Sequence, residues 1–165
     1  MNGTAVISAC GMYRYQLSRG EYNRQQPWML WVMLNPSTAD GAQNDPTVRR
    51  CIGYANRWRI PGFDVANLYA FRTPYPNGLW SVDDPVGPDN DQYLLELAAR
   101  ADIIMLAWGA NPGPKKERGG QVMDLLWPYV KRFRVLGWTK HGEPNHPLMM
   151  PKALDPLPCD WATSP

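Results

Sequence analysis

The sequence predicts an α/β fold with a mainly parallel central sheet and helices on both faces. Two observations predict it. Met29 to Leu34 is an unbroken apolar run closed by Asn35-Pro36, the pattern of a strand buried on both faces. Two further strand-like segments, Phe63 to Ala70 and Asp102 to Ala107, follow it with helical patterns between them, and such alternation builds βαβ units.

In chain order, Ala5 to Ser8 and Tyr13 to Leu17 are expected to be strands forming an antiparallel edge, parted by Gly11. Met29 to Leu34 is the central strand. After the polar loop Ser37 to Asp45, Pro46 opens a helix with Val48, Cys51, Ile52 and Ala55 at helical spacing up to Trp58, and Asp45 is its N-cap. Ile60-Pro61-Gly62 turns the chain into the strand Phe63 to Ala70, and Thr73 to Asp84 is a proline-rich loop. Pro88, Asp89 and Asp91 open a second helix carrying Tyr93, Leu94, Leu97, Ala98 and Ala101. The strand Asp102 to Ala107 ends at Trp108-Gly109. Beyond the loop Ala110 to Gly120, a helix is expected near Gln121 to Tyr129, then a strand at Arg132 to Leu136, then mostly loop from Gly137 to Pro165.

The 165 residues suit one domain, 1–165. No stretch approaches the roughly 18 apolar residues of a membrane span, and the first residues lack a basic head with a long apolar run, so a cytoplasmic protein without a membrane role is expected. Cys10, Cys51 and Cys159 lie far apart with no CxxC pair, which predicts free thiols and no metal site. The net charge of +2 is too even to demand a nucleic-acid partner. Seventeen prolines and eight tryptophans imply stiffened loops and aromatic faces, and loops are where function collects.

In parallel sheets ligands bind beyond the carboxyl ends of the strands. The polar residues gather there. Asn35, Ser37 and Thr38 follow the first buried strand, Asn67 interrupts the second, Trp108-Gly109 ends the third, and His141 to His146 follow the fourth. Asn35 offers an amide that can hold a ligand or a water, although Asn-Pro-Ser-Thr is also ordinary turn chemistry. Asn67 must be satisfied if buried, by a structural bond or by a ligand. The histidines can donate to developing negative charge or can simply be solvated. Lys115, Lys116 and Arg118 suit a phosphate or a solvated loop, and together with Arg14, Arg19 and Arg24 they can form a one-sided basic rim. Asp45, Arg49 and Arg50 can anchor an acidic ligand or line a helix face.

MLNPSTAD, NDPTVRRCIGYANRW, VANLYAFR, DPVGPDND, AWG and GEPNHPLMMP together resemble the bacterial and phage family termed domain of unknown function 1643, over nearly the whole chain. Their order is also similar to the uracil-DNA glycosylase superfamily. That likeness implies a three-layer α/β sandwich and a DNA N-glycosylase-like hydrolase that excises an unusual or modified base. In that superfamily an acid or amide before a proline places the attacking water, which falls on Asn35 in Met33-Leu34-Asn35-Pro36, with Met33 replacing the usual glycine. A strand asparagine reads the base edge, which falls on Asn67. A late His-Pro-Ser loop supplies a leaving-group donor and a wedge, which fall on His146, Leu148 and Met149, with Leu148 in place of the serine.

The likeness thus makes Asn35 and His146 catalytic. Substrate contacts fall to Asn67, Ser37, Thr38, Arg50, Leu148 and Met149, with Tyr54, Trp108 or Tyr69 stacking on the base. No cofactor is implied. The expected partner is nucleic acid, DNA first, or a nucleotide, bound by a monomer. A module that binds a base without cutting it, or another base-modifying enzyme, are the alternatives.

Overall fold

The computed structural model describes residues 1–110 and 117–159. Seven strands form one mixed sheet: β1 (Gly3–Ile7), β2 (Arg14–Arg19), β3 (Met29–Met33), β4 (Phe63–Asn67), β5 (Ile103–Leu106), β6 (Phe133–Val135) and β7 (Leu157–Pro158). Their order across the sheet is β1-β2-β4-β3-β5-β6-β7. Parallel pairing is confined to the inner four strands, β4-β3-β5-β6. Both margins are antiparallel, so the expected mainly parallel sheet is corrected to a mixed one.

The apolar run of β3 alternates between two cores. Met29, Trp31 and Met33 pack with Val48, Cys51, Tyr54 and Ala55 of α1 (Pro46–Arg57). Leu30 and Val32 pack with Leu94, Leu97 and Ala98 of α2 (Asn90–Arg100) and Val122 of α3 (Arg118–Leu125). Every β3 residue is therefore buried, which is why no polar alternation marks it in the sequence.

α1 begins as expected, with the Asp45 carboxylate accepting from the Val48 N–H and Pro46 in the first turn. The predicted helix Gln121 to Tyr129 starts earlier and stops sooner. Pro128 cannot donate within an α-helix, and the chain continues as a 3-10 turn over Trp127–Arg132. Within the terminal stretch lie a short 3-10 turn, Pro147–Met149, and the edge strand β7.

β4 lies on one side of β3 and β5 on the other, so the chain reverses direction across the sheet at β3. A crevice opens at such a switch point, at the carboxyl ends. Among the described residues no helix is long and apolar enough to cross a membrane.

Candidate functional site

Parallel register sets Met33 beside Asn67, and the ladder runs on through Leu68 N–H to Met33 and Tyr69 N–H to Leu34. The residues after β3 and at the end of β4 thus face one opening. A cleft of about 480 Å³ lies there, within the size of ligand sites, lined by Asn35, Ser37, Asn67, Trp108, Leu148, Met149 and His146 together with Arg14, Asp45 and Thr73.

The Asn35 amide is oriented by its neighbours. Its Nδ2 donates to the carbonyls of Thr73 (2.8 Å) and Pro36 (3.0 Å), which leaves Oδ1 as the acceptor of the side chain. Asn67 is 2% exposed, and its Nδ2 is buried without a partner. A buried amide donor left open costs free energy that a bound acceptor would restore. The Asn67 backbone is fixed from behind, where Asn90 Nδ2 donates to the carbonyls of Asn67 and Leu68.

His146 comes to the cleft on a loop tied at both ends. Gly109 N–H donates to Pro144, and Asn145 N–H donates to Gly137. Gly109 has φ +71°, and a Cβ there would stand 3.0 Å from His146 Cβ, so this approach of loop to strand end needs glycine. On the far side Arg50 donates to the carbonyls of Pro147 and Met150, and Tyr54 Oη donates to Pro151 (2.7 Å).

His146 Nδ1 accepts from the Leu148 N–H at 3.3 Å. A neutral ring bonded in this way carries its proton on Nε2, which makes Nε2–H a donor. Burial pushes the imidazole pKa below its ordinary 6.5, and the Asp45 carboxylate pulls it partly back. Because the folded value is depressed, neutral His146 favours the fold fully above pH 6.5, and that contribution is lost as pH falls through the folded value. We expect Asp45→Asn, which keeps the helix cap, to lower the His146 midpoint further in an NMR titration; an unchanged or raised midpoint would contradict the coupling.

Arg14 is buried, with Nη1 donating to Ala39 (2.5 Å) and Nε unpartnered, and burial lowers its pKa to about 10 against the pull of Asp45. It stays charged at neutral pH. Arg19, also buried, donates to Asn44 and to the carbonyls of Asp40 and Gln43. The two arginines hold the loop after β3, so the expected basic rim of Arg14, Arg19 and Arg24 is corrected: only Arg24 is exposed.

Other expected residues lie elsewhere. Thr38 is exposed and outside the cleft lining. Arg50 and Tyr54 face a neighbouring groove and support the His146 loop. Tyr69 packs edge-on to Trp80 in the core beneath α2. Trp108 walls the cleft, but its indole N–H is taken by Glu143. Arg118 is buried, donating to Leu68 and paired with Asp91, so it is no phosphate contact. His141 is exposed and outside the cleft lining. Lys115 and Lys116 lie outside the described residues.

The sequence offered Asp45 both as a helix cap and as part of a ligand anchor, and its carboxylate lines the cleft; Thr73 and Pro74, read from the sequence as plain loop, line it too. Among the described residues no cluster of His, Cys, Asp and Glu is fit to hold a metal, and Cys10, Cys51 and Cys159 form no disulfide.

The fold and cleft define an α/β protein with an amide-lined cleft at the carboxyl ends of its parallel strands. The chain belongs to the family described as Protein of unknown function (DUF1643), which matches residues 14–148. No curated protein and no solved structure matches it.

Proposed function

We propose that the chain is a nucleobase-directed hydrolase of DNA N-glycosylase type, with its sheet and helices in the three-layer arrangement of the uracil-DNA glycosylases, acting on an unusual or modified base. One observation carries the reading: Asn35, Asn67 and His146, from three distant parts of the sequence, line one cleft of ligand size. Cutting a base from its sugar takes an extruded base, a placed water and a donor to the leaving group. Asn67 Nδ2 reads an acceptor on the base. Asn35 Oδ1 orients the water.

The water oxygen bonds to C1′ of the sugar while the C1′–N bond breaks and its electron pair leaves with the base. His146 Nε2–H donates to the charge that develops there. The water's proton passes to Asp45, the carboxylate of the cleft lining. Leu148 and Met149, exposed at the cleft mouth, suit the stack that an extruded base vacates.

The test is incubation of the purified protein with oligonucleotides carrying uracil, mismatched thymine or hypermodified bases, read as alkali-labile abasic sites. We expect an abasic product on at least one of them. No product on any, with wild type and Asn35→Ala alike, overturns hydrolysis; base binding that persists without product would favour a non-cleaving recognition module.

A further inference from the structure

A second groove adjoins the cleft, with Leu148 as the wall they share. Its volume is about 530 Å³, and its charged residues are Arg49, Arg50 and Lys152. No carboxylate lines it, and none of the three cations is in an ion pair among the described residues. Lys152 and Arg49 are exposed, Arg49 with Nη1 donating to the Asn44 carbonyl at the start of α1, whereas Arg50 is half-buried with Nη1 donating to two loop carbonyls. A chain whose charges nearly cancel thus concentrates three positive ones beside the mouth of the cleft.

The floor of the groove carries a second feature. Gly53 sits inside α1, where glycine is unfavourable, and a Cβ at this position would meet no atom within 4 Å. No packing within the protein requires a glycine here. What the missing side chain provides is depth, one helical turn from Arg49 on the same face. The groove follows α1 from Pro46 to Tyr54, about 12 Å at 1.5 Å per residue, which exceeds the roughly 3.4 Å rise of one nucleotide in a strand.

We propose that this groove binds the phosphate backbone of a nucleic-acid strand leading away from the nucleotide held in the cleft, with Arg49 and Lys152 as phosphate contacts and Gly53 as the point of closest approach. The inference rests on the reading of the cleft as a nucleobase site, and it commits that site to a strand rather than a free nucleotide. Leu148 stands where the strand would pass from groove to cleft. The apolar tip of the His146 loop therefore separates backbone from base.

The test needs no turnover. A short fluorescein-labelled single-stranded oligodeoxynucleotide of ordinary bases is titrated with the protein by fluorescence anisotropy over a range of salt. Each phosphate contact on a single strand contributes a slope of roughly −0.7 in log K against log salt. The Arg49→Ala/Lys152→Ala variant should flatten the slope by about 1.4 and weaken binding about tenfold at low salt, whatever the base sequence.

Gly53→Glu fills open space and removes no native contact, so it should weaken binding while raising or keeping Tm. Unchanged slopes in both variants, or wild type binding inorganic phosphate as tightly as the oligonucleotide, overturn the groove. Binding that depends on the groove, with no abasic product from any base, keeps this proposal and fails the hydrolase reading. Abasic product with unaltered salt slopes does the reverse.

Discussion

Asn35→Ala is expected to lower base release by on the order of 10²–10⁴-fold, the usual weight of a group that positions the proton transfers of a reaction. The side chain has two duties. Nδ2 ties the end of β3 to Thr73 and Pro36, and Oδ1 is the acceptor that the proposed reaction gives to the water. Alanine removes both, at a cost of about 0.5–1.5 kcal/mol per lost bond. Activity is therefore to be counted per folded molecule, by circular dichroism alongside the abasic-site assay.

Asn35→Asp separates the duties. A carboxylate is the stronger base, but it cannot donate, and it turns an oxygen toward two carbonyl oxygens. We expect Asn35→Asp to unfold at lower urea than Asn35→Ala. Equal midpoints would mean that the two carbonyl bonds do not set the amide's orientation.

The largest loss of stability is expected at Asp64, outside the cleft lining. This fully buried carboxylate accepts from Ser18 Oγ (2.6 Å), Gln16 Nε2 (3.0 Å), Trp28 Nε1 (2.7 Å) and from Nε and Nη2 of Arg100. Asp64→Ala leaves the Trp28 N–H and the Ser18 hydroxyl without their acceptor and strands the guanidinium. Breaking a buried pair costs about 3–5 kcal/mol. The Arg100 side chain keeps 31% of its exposure and so recovers some hydration, which puts the expected loss near about 3 kcal/mol.

Asp64 sits three residues before Asn67 in β4, roughly 10 Å away at the strand rise. Binding and turnover per folded molecule should therefore hold. A urea denaturation curve checks the first expectation, and oligonucleotide binding at a temperature where the variant is folded checks the second. A loss under about 1 kcal/mol would show that the network is not a stabilising one.

The inner sheet was legible because burial on both faces leaves an unmistakable mark. Met29 to Leu34 is apolar throughout, and Asp45 with Pro46 announces the helix that follows. β7 left no such mark, since two residues pairing with Arg134 and Val135 carry no period. The antiparallel margins depend on which strands become neighbours, which local composition does not encode.

In the cleft, Asn35 and Asn67 stood out as amides beside apolar strands, and His146 as one of only two histidines. Arg14 and Arg19 misled because charged residues in RYQLSR suggest a solvated face. Their guanidinium groups instead turn inward and bond the carbonyls of residues 39–43. Arg50 and Tyr54 carry functional-looking groups whose hydrogen bonds reach about a hundred residues ahead, to a loop that no local pattern ties to α1.

That long reach sets an order of events during synthesis. A growing chain makes β3, α1 and β4 early, so both amides are synthesised well before the segment carrying His146. Until Pro144 meets Gly109, and Pro147, Met150 and Pro151 meet α1, the cleft has no imidazole and the groove lacks Lys152. An incomplete chain would thus hold the two amides without the imidazole, and the docking of one late loop would complete cleft and groove at once.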